Sequence, residues 1–135
     1  MTFLLDTNAC IALINGRPES VRRRFDRAIR RGDDIATSSV ALFELWYGVA
    51  KSARPKVNTE HLATFIGGPI EIIDFSLEDA DNAGRIRAAL EVSGRPIGAY
   101  DVLIAGQAQR LGATLVTANA AEFSRIKALR LRDWS

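Results

Sequence analysis

Short apolar runs that end abruptly in polar residues alternate along this chain with stretches whose apolar positions recur every three to four residues. Phe3-Leu4-Leu5 is the first run. It is apolar without alternation, the pattern of a strand buried on both faces, and it stops at Asp6-Thr7-Asn8. Ala9 to Ile14 reads as a short helix closed by the turn pair Asn15-Gly16. Pro18 opens a second helix, with Val21, Phe25, Ala28 and Ile29 on one face and arginines on the other. After Gly32 and the Asp33-Asp34 turn, Ile35-Ala36-Thr37 is a second short strand. Ser38 or Ser39 caps a third helix, Val40 to Ala53, which Arg54-Pro55 breaks; Asn58 to Ile66 forms a fourth. Ile70 to Ile73 reads as the third strand. Ser76 then caps a long helix, Leu77 to Val92, with Asp79 three residues on completing a helix-start pattern. A helix from Val102 to Leu111, a strand from Thr114 to Val116, a helical turn at Glu122-Phe123 and an edge strand at Leu129 to Leu131 complete the chain.

Strands and helices in alternation predict an α/β fold, a parallel sheet with helices on both faces. Right-handed crossovers place the strand-to-helix junctions on one rim, where ligands of open parallel sheets collect. Asp6 lies on that rim, and Thr117 and Asn119 follow the fourth strand onto it. Glu44 lies one to two turns into its helix and can lean back over the rim. Asp101, near the start of the helix that feeds the fourth strand, needs the tertiary fold to bring it in. Each acid also has a local reading. Asp6 or Thr7 can cap the first helix, and Asp101 can simply favour a helix dipole. Gly98-Ala99, which leave room for close backbone approach, favour a site at Asp101. Glu78, Asp79 and Asp81 read as first-turn acids.

Glu44 is set among Leu42, Phe43, Leu45, Trp46 and Tyr47. A lone carboxylate there needs a cation, a hydrogen-bond network or a route to solvent, or else it occupies the one solvent-facing stripe. Because this helix is apolar on more than one face, Phe43, Trp46 and Tyr47 either meet another chain or fill the core.

The length of 135 residues predicts one domain, 1-135, and the apolar and charged fractions of 47% and 25% are ordinary for a globular protein. No apolar run is long enough to span a membrane, and no secretory leader is recognisable, so a cytoplasmic setting is expected. The single Cys10 excludes an internal disulfide and a cysteine-based zinc site. Net charge is only +2, but seven arginines crowd between Arg17 and Arg31. They form either a solvated helix face or a surface for a polyanion. Trp134 either stacks on a base or buries the end of the chain.

Three carboxylates brought together without Lys or Arg repel one another, and a hard divalent cation, Mg²⁺ or Mn²⁺, relieves that repulsion. The only histidine, His61, has no nucleophilic partner, so neither a Ser-His nor a Cys-His pair is available. Water activated by a metal is the remaining route to hydrolysis.

Four motifs now stand together. They are Leu4-Leu5-Asp6-Thr7-Asn8, the helix around Glu44, Pro96-Ile97-Gly98-Ala99-Tyr100-Asp101 with Leu103-Ile104-Ala105, and Thr114-Leu115-Val116-Thr117 followed by Asn119, Glu122, Phe123, Arg125 and Ile126. In these the chain resembles PIN-domain ribonucleases of the VapC toxin type. The resemblance implies a single α/β/α sandwich with a five-stranded, mostly parallel sheet, and Mg²⁺- or Mn²⁺-dependent hydrolysis of RNA, often tRNA. It implies that Asp6, Glu44 and Asp101 form an acidic metal site, that Thr7 and Thr117 orient those acids, and that Asn8 and Glu122 support them. It also implies a homodimer held inactive by a VapB-type antitoxin, whose other end binds operator DNA. Arg22, Arg23, Arg27 and Arg30 then become candidate contacts for RNA or antitoxin. One position departs from the family. Asn119 stands where many relatives carry Asp, so the site has one less negative charge, which Glu122 one turn on can supply. That departure keeps open a PIN fold retained as a binding module without turnover. A phosphoacceptor receiver domain is disfavoured, because neither Thr7-Asn8 nor the final segment supplies the paired acids and Lys that it needs.

Overall fold

The computed structural model describes residues Met1 to Ser135. Five parallel strands form its sheet, in the order β3-β2-β1-β4-β5. In chain order the elements are β1 (Thr2–Leu5), α1 (Thr7–Asn15), α2 (Glu19–Arg30), β2 (Asp34–Ser38), α3 (Ser39–Lys51), α4 (Pro55–Ile66), β3 (Glu71–Ile73), α5 (Leu77–Val92), α6 (Ala99–Leu111), β4 (Thr114–Val116), α7 (Ala120–Phe123) and β5 (Arg130–Arg132). The run Phe3-Leu4-Leu5 is central because both faces of β1 are covered. Phe3 and Leu5 pack with α1, α2, Leu45 and Leu62, whereas Leu4 packs with α5, α6 and Phe123. The same alternation separates Ile35 from Ala36 on β2 and Val116 from Leu115 on β4. The result is the α/β/α layering expected from the pattern, and no helix is long and apolar enough to cross a membrane.

Chain direction across the sheet reverses between β1 and β4, since β2 and β3 lie to one side of β1 and β4 and β5 to the other. That junction is the switch point at which open α/β sheets form a crevice. The amide of Asp6 donates to the Val116 carbonyl at 3.1 Å, so Asp6 sits directly above the crevice.

Several element boundaries differ from those read from the sequence, each for a local reason. Pro55 starts α4 at a position that needs no amide donor, so the helix begins before Asn58. α6 begins at Ala99, with Gly98 as its cap, so Asp101 lies inside the first turn. α3 ends at Lys51, where Ser52 turns extended and its hydroxyl donates to the Val49 carbonyl. β5 is shifted one residue onward, to Arg130–Arg132, by its pairing with β4. α5 and α6 approach closely because Gly106 has no side chain; a Cβ there would come within 2.8 Å of the Ala83 amide nitrogen.

Candidate active site

The acids of the rim come from three remote segments. Asp6 is the N-cap of α1 and accepts from the Ala9 amide at 2.8 Å, so the capping role read from the sequence is real. It is not the whole account, because Asp6 is also buried and its surroundings work against its charge. Burial raises its pKa above the ordinary carboxylate value, and the charges of Glu44 and Asp133 add to the rise; hydrogen bonds from Thr117 and Ala9 only moderate it. Asp101 shows the same effect more strongly. Burial and then the charges of Asp6, Glu44 and Glu122 push its carboxyl up to about 6. Asp6, Glu44 and Asp101 are thus near enough to act on one another's charge, and Glu122 near enough to act on Asp101. None of the four is in an ion pair.

The residues between the acids set their positions. The Thr7 hydroxyl donates to Glu44 Oε1 at 2.6 Å and ties α1 to α3. Glu44 is half-buried and held by this bond, which answers the question raised by its apolar neighbours. Thr117 accepts from the Asn119 amide at 2.9 Å and stands beside Asp6. Asn119 Nδ2 donates to Glu122 Oε2 at 2.9 Å, so the amide that replaces an acid is held by the acid one turn on. A Cβ on Gly98 would lie 3.3 Å from Asp101 Oδ2, so backbone there approaches the carboxylate closely. Arg125 donates from Nη1 to the Pro96 carbonyl at 3.1 Å and ties the segment after α7 to the loop before α6.

Asn8 is exposed, makes no side-chain hydrogen bond and lines a cavity together with Thr117. No three Asp, Glu, His or Cys side chains are arranged to clasp a single ion directly. The cluster is looser than a preformed carboxylate cage. It offers hard oxygen donors with unrelieved negative charge, which fits Mg²⁺ or Mn²⁺ held through one or two carboxylates and a shell of water.

Other sequence candidates fall outside the cleft. Arg22 donates to the Leu13 carbonyl at 3.2 Å and lies over the Phe25 ring, and Arg23 faces Glu19. Arg27 and Arg30 are exposed without ion pairs. Phe43, Trp46 and Tyr47 are 54%, 42% and 59% exposed, so they are not core, and an unpartnered apolar face remains on α3. His61 is exposed, Cys10 is buried with its thiol pushed up to about 12 chiefly by burial, and Trp134 packs edge-on against Phe3. Asp133 was not recognisable as a neighbour of Asp6, since nothing local marks an acid in the final segment.

Comparison with known proteins agrees with this geometry. The family model of the PIN domain matches residues 3–129. The tRNA(fMet)-specific endonuclease VapC of Shigella flexneri is 42% identical over 100% of this chain and 99% of its own length. Among solved structures, VapBC2 of Rickettsia felis bound to a promoter DNA fragment matches with a TM-score of 0.93 and 41% identity over 100% of both chains. The DNA-bound VapBC of Salmonella typhimurium gives a TM-score of 0.90 and 41% identity, covering 100% of this chain and 99% of that one. With the sheet order, the acidic rim and full-length similarity in agreement, the chain belongs to the PIN domain family and, within it, to the VapC group.

Proposed function

We propose that this protein is a divalent-metal-dependent endoribonuclease, the toxin of a type II toxin–antitoxin pair. The observation that carries this reading is that Asp6, Glu44 and Asp101 burden one another's charge with no Lys or Arg paired to any of them, in a chain similar along its whole length to VapC ribonucleases. Asp6 and Asp101 would hold the ion, with Glu44 acting directly or through its water. When bound, such an ion lowers the pKa of water and stabilises charge on phosphoryl oxygens. The chain itself positions the carboxylates. Thr7 fixes Glu44, Thr117 faces Asp6, and the Ala9 amide holds Asp6 Oδ1. Asn119 holds Glu122, whose charge acts on Asp101.

The substrate is RNA, with tRNA the first choice because relatives 42% and 41% identical are named for tRNA(fMet). The partner is a VapB-type antitoxin, through which the protein would meet DNA; two of the similar structures are DNA-bound VapBC complexes. The exposed apolar face of α3 suits a homodimer, and the setting is the cytoplasm. A retained PIN fold without turnover is the second reading, favoured by Asn119 being tied to Glu122. One experiment separates the two. Purified protein free of antitoxin is incubated with total tRNA and Mg²⁺ or Mn²⁺, with and without EDTA. Cleavage that EDTA stops is expected, and cleavage unchanged in EDTA or in Asp101→Asn would refute the mechanism.

A further inference from the structure

Beside the acidic cleft lies a pocket of about 320 Å³, at the lower end of the range of about 300–1,000 Å³ that suits small organic ligands. It opens between α1, the start of α2, the end of β4 and the final segment of the chain. Two of its residues tie it to the cleft. Thr117 stands beside Asp6, and Asn8 is two residues along α1. The pocket therefore occupies the β1–β4 switch point, where parallel sheets gather ligands.

Its lining is apolar below and polar at one edge. Trp134 is buried edge-on against Phe3, so that wall is already formed. Ile11, 39% exposed, provides an apolar surface near the mouth. At the polar edge Asp133 accepts from the Ser135 amide and hydroxyl through Oδ1, leaving Oδ2 without a partner. Arg17 lines the pocket and Arg24 acts electrostatically on Asp133 from α2; both are exposed and neither is in an ion pair.

We propose that this pocket seats the base of the nucleotide adjoining the scissile phosphodiester, with the Asp133 carboxylate accepting from the base's N–H groups and Arg17 and Arg24 facing the neighbouring phosphate. The proposal rests on the ribonuclease reading and names a subsite of it. A carboxylate at the edge repels a phosphate but pairs with a neutral donor edge. Asp133 Oδ2, the oxygen left without a partner, has two lone pairs that can accept guanine N1–H and the 2-amino group together, whereas uracil offers it a single imino N–H. Proteins that read single-stranded RNA do so by taking an unstacked base against apolar side chains and hydrogen-bonding its edge. The arginines of this region thus divide, because Arg22 is tied to the Leu13 carbonyl and Arg23 pairs loosely with Glu19 on the surface, whereas Arg17 and Arg24 are exposed without an ion pair on the side of Asp133.

The test has two arms. In EDTA, where metal-dependent cleavage cannot occur, GMP and UMP are titrated separately into the ¹⁵N-labelled protein. GMP is expected to shift the signals of Asn8, Thr117, Asp133 and the Trp134 indole, with about fivefold or more tighter binding than UMP. Asp133→Ala should reduce that preference to within about twofold while circular dichroism shows an unchanged fold, as an exposed side chain allows. In the second arm, oligoribonucleotides varied at one nucleotide beside the cleaved bond are hydrolysed by the wild type and by Asp133→Ala. The wild type should favour guanine in kcat/KM, and the variant should lose that preference. No shift with millimolar GMP, or a preference unchanged in Asp133→Ala, overturns the subsite. Failure of the wild type to cut any RNA defeats the ribonuclease reading instead, and the GMP titration still decides the pocket.

Discussion

Asp6 and Asp79 are both buried acids at helix starts, and they are opposites in every other respect. Asp6 caps α1 and Asp79 completes the capping box of α5 with Ser76, so each has its local hydrogen bonds. Around Asp79 the fold supplies a cation. Arg110 of α6 reaches across with Nε on Oδ1 and Nη2 on Oδ2 at 3.1 Å. Burial alone would raise the Asp79 pKa, but the bonds from Arg110 and Ser76 outweigh it and hold the carboxyl below its ordinary value. Around Asp6 the fold supplies more acid, and the pKa rises. One site is satisfied within the chain and locks α5 to α6. The other has no cationic side chain paired to it. Unrelieved burial of charge costs stability, and that cost is what the proposed metal site would offset.

The largest test of that contrast exchanges each acid for its amide. Asp6→Asn keeps a competent helix cap, since Asn caps as well as Asp. RNA cleavage should fall by at least about a hundredfold, because even groups supporting a metal ligand are worth 10–100-fold. Thermal stability without metal should hold or rise, as a buried charge has been removed. Asp79→Asn should do the reverse. It leaves Arg110 without its charge partner and should cost about 2–3 kcal/mol, below the 3–5 typical of a fully buried pair because Arg110 is 25% exposed. Cleavage per folded molecule should not change. Urea unfolding and initial rates on tRNA measure both quantities, and equal loss of activity in the two variants would dissolve the distinction.

The pair also shows how far the sequence reaches. The β1 run, the alternation and the polar stops after β1 and β4 carry the sheet and its rim, because patterning and crossover handedness leave few topologies. The clustering of Asp6, Glu44 and Asp101 was legible only through topology and resemblance, for Gly98-Ala99 ahead of it is the one local feature that separates Asp101 from Asp79. Both sit in the first turn of a helix after a loop. Asp79 read as a helix-start and first-turn acid, which it is, but its full burial against Arg110, a partner 31 residues away, has no local signal. Glu78 lies in the first turn as read, whereas Asp81 lies beyond it and pairs with Arg85 at 3.1 Å; both are exposed. Asp133 and its pocket were illegible for the same reason, being made by segments from opposite ends of the chain.

Acidity should resolve the two sites by sign. Asp79, with its pKa lowered in the fold, contributes stability that is present above the ordinary carboxylate value of 3.8 and lost as pH falls through its folded value. Asp101, raised to about 6, contributes stability that is present below 3.8 and lost as pH rises through about 6. In EDTA the unfolding free energy should therefore fall on both sides of a maximum between these limits. The alkaline-side loss should be on the order of 1 kcal/mol once solvent screening of the half-buried Asp101 is allowed for. Urea titrations from pH 3 to 8 should show Asp101→Asn losing the alkaline-side fall and Asp79→Asn losing the acid-side one. An Asp101→Asn profile identical to that of the wild type would mean that its neighbours do not burden it.

The finest comparison lies within the cleft itself, at the amide that breaks the acidic pattern. Asn119 Nδ2 now donates to Glu122 Oε2 at 2.9 Å, so Glu122 has a neutral partner and turns part of its charge away from the cleft. Asn119→Asp replaces that donor with a second carboxylate at the same spacing. Without metal, the two charges repel and the fold should lose a few tenths of a kcal/mol, the scale of partly exposed like-charge pairs. With metal, the added charge and the released Glu122 oxygen both act on the ion, and Mn²⁺ affinity should rise severalfold. Opposite signs in the two conditions are the discriminating feature. A residue with only a packing role would lower stability equally with and without Mn²⁺, whereas one facing the ion must turn a loss in EDTA into a gain when metal is added. Calorimetric Mn²⁺ titration alongside melting curves in EDTA reads both signs on the same preparation.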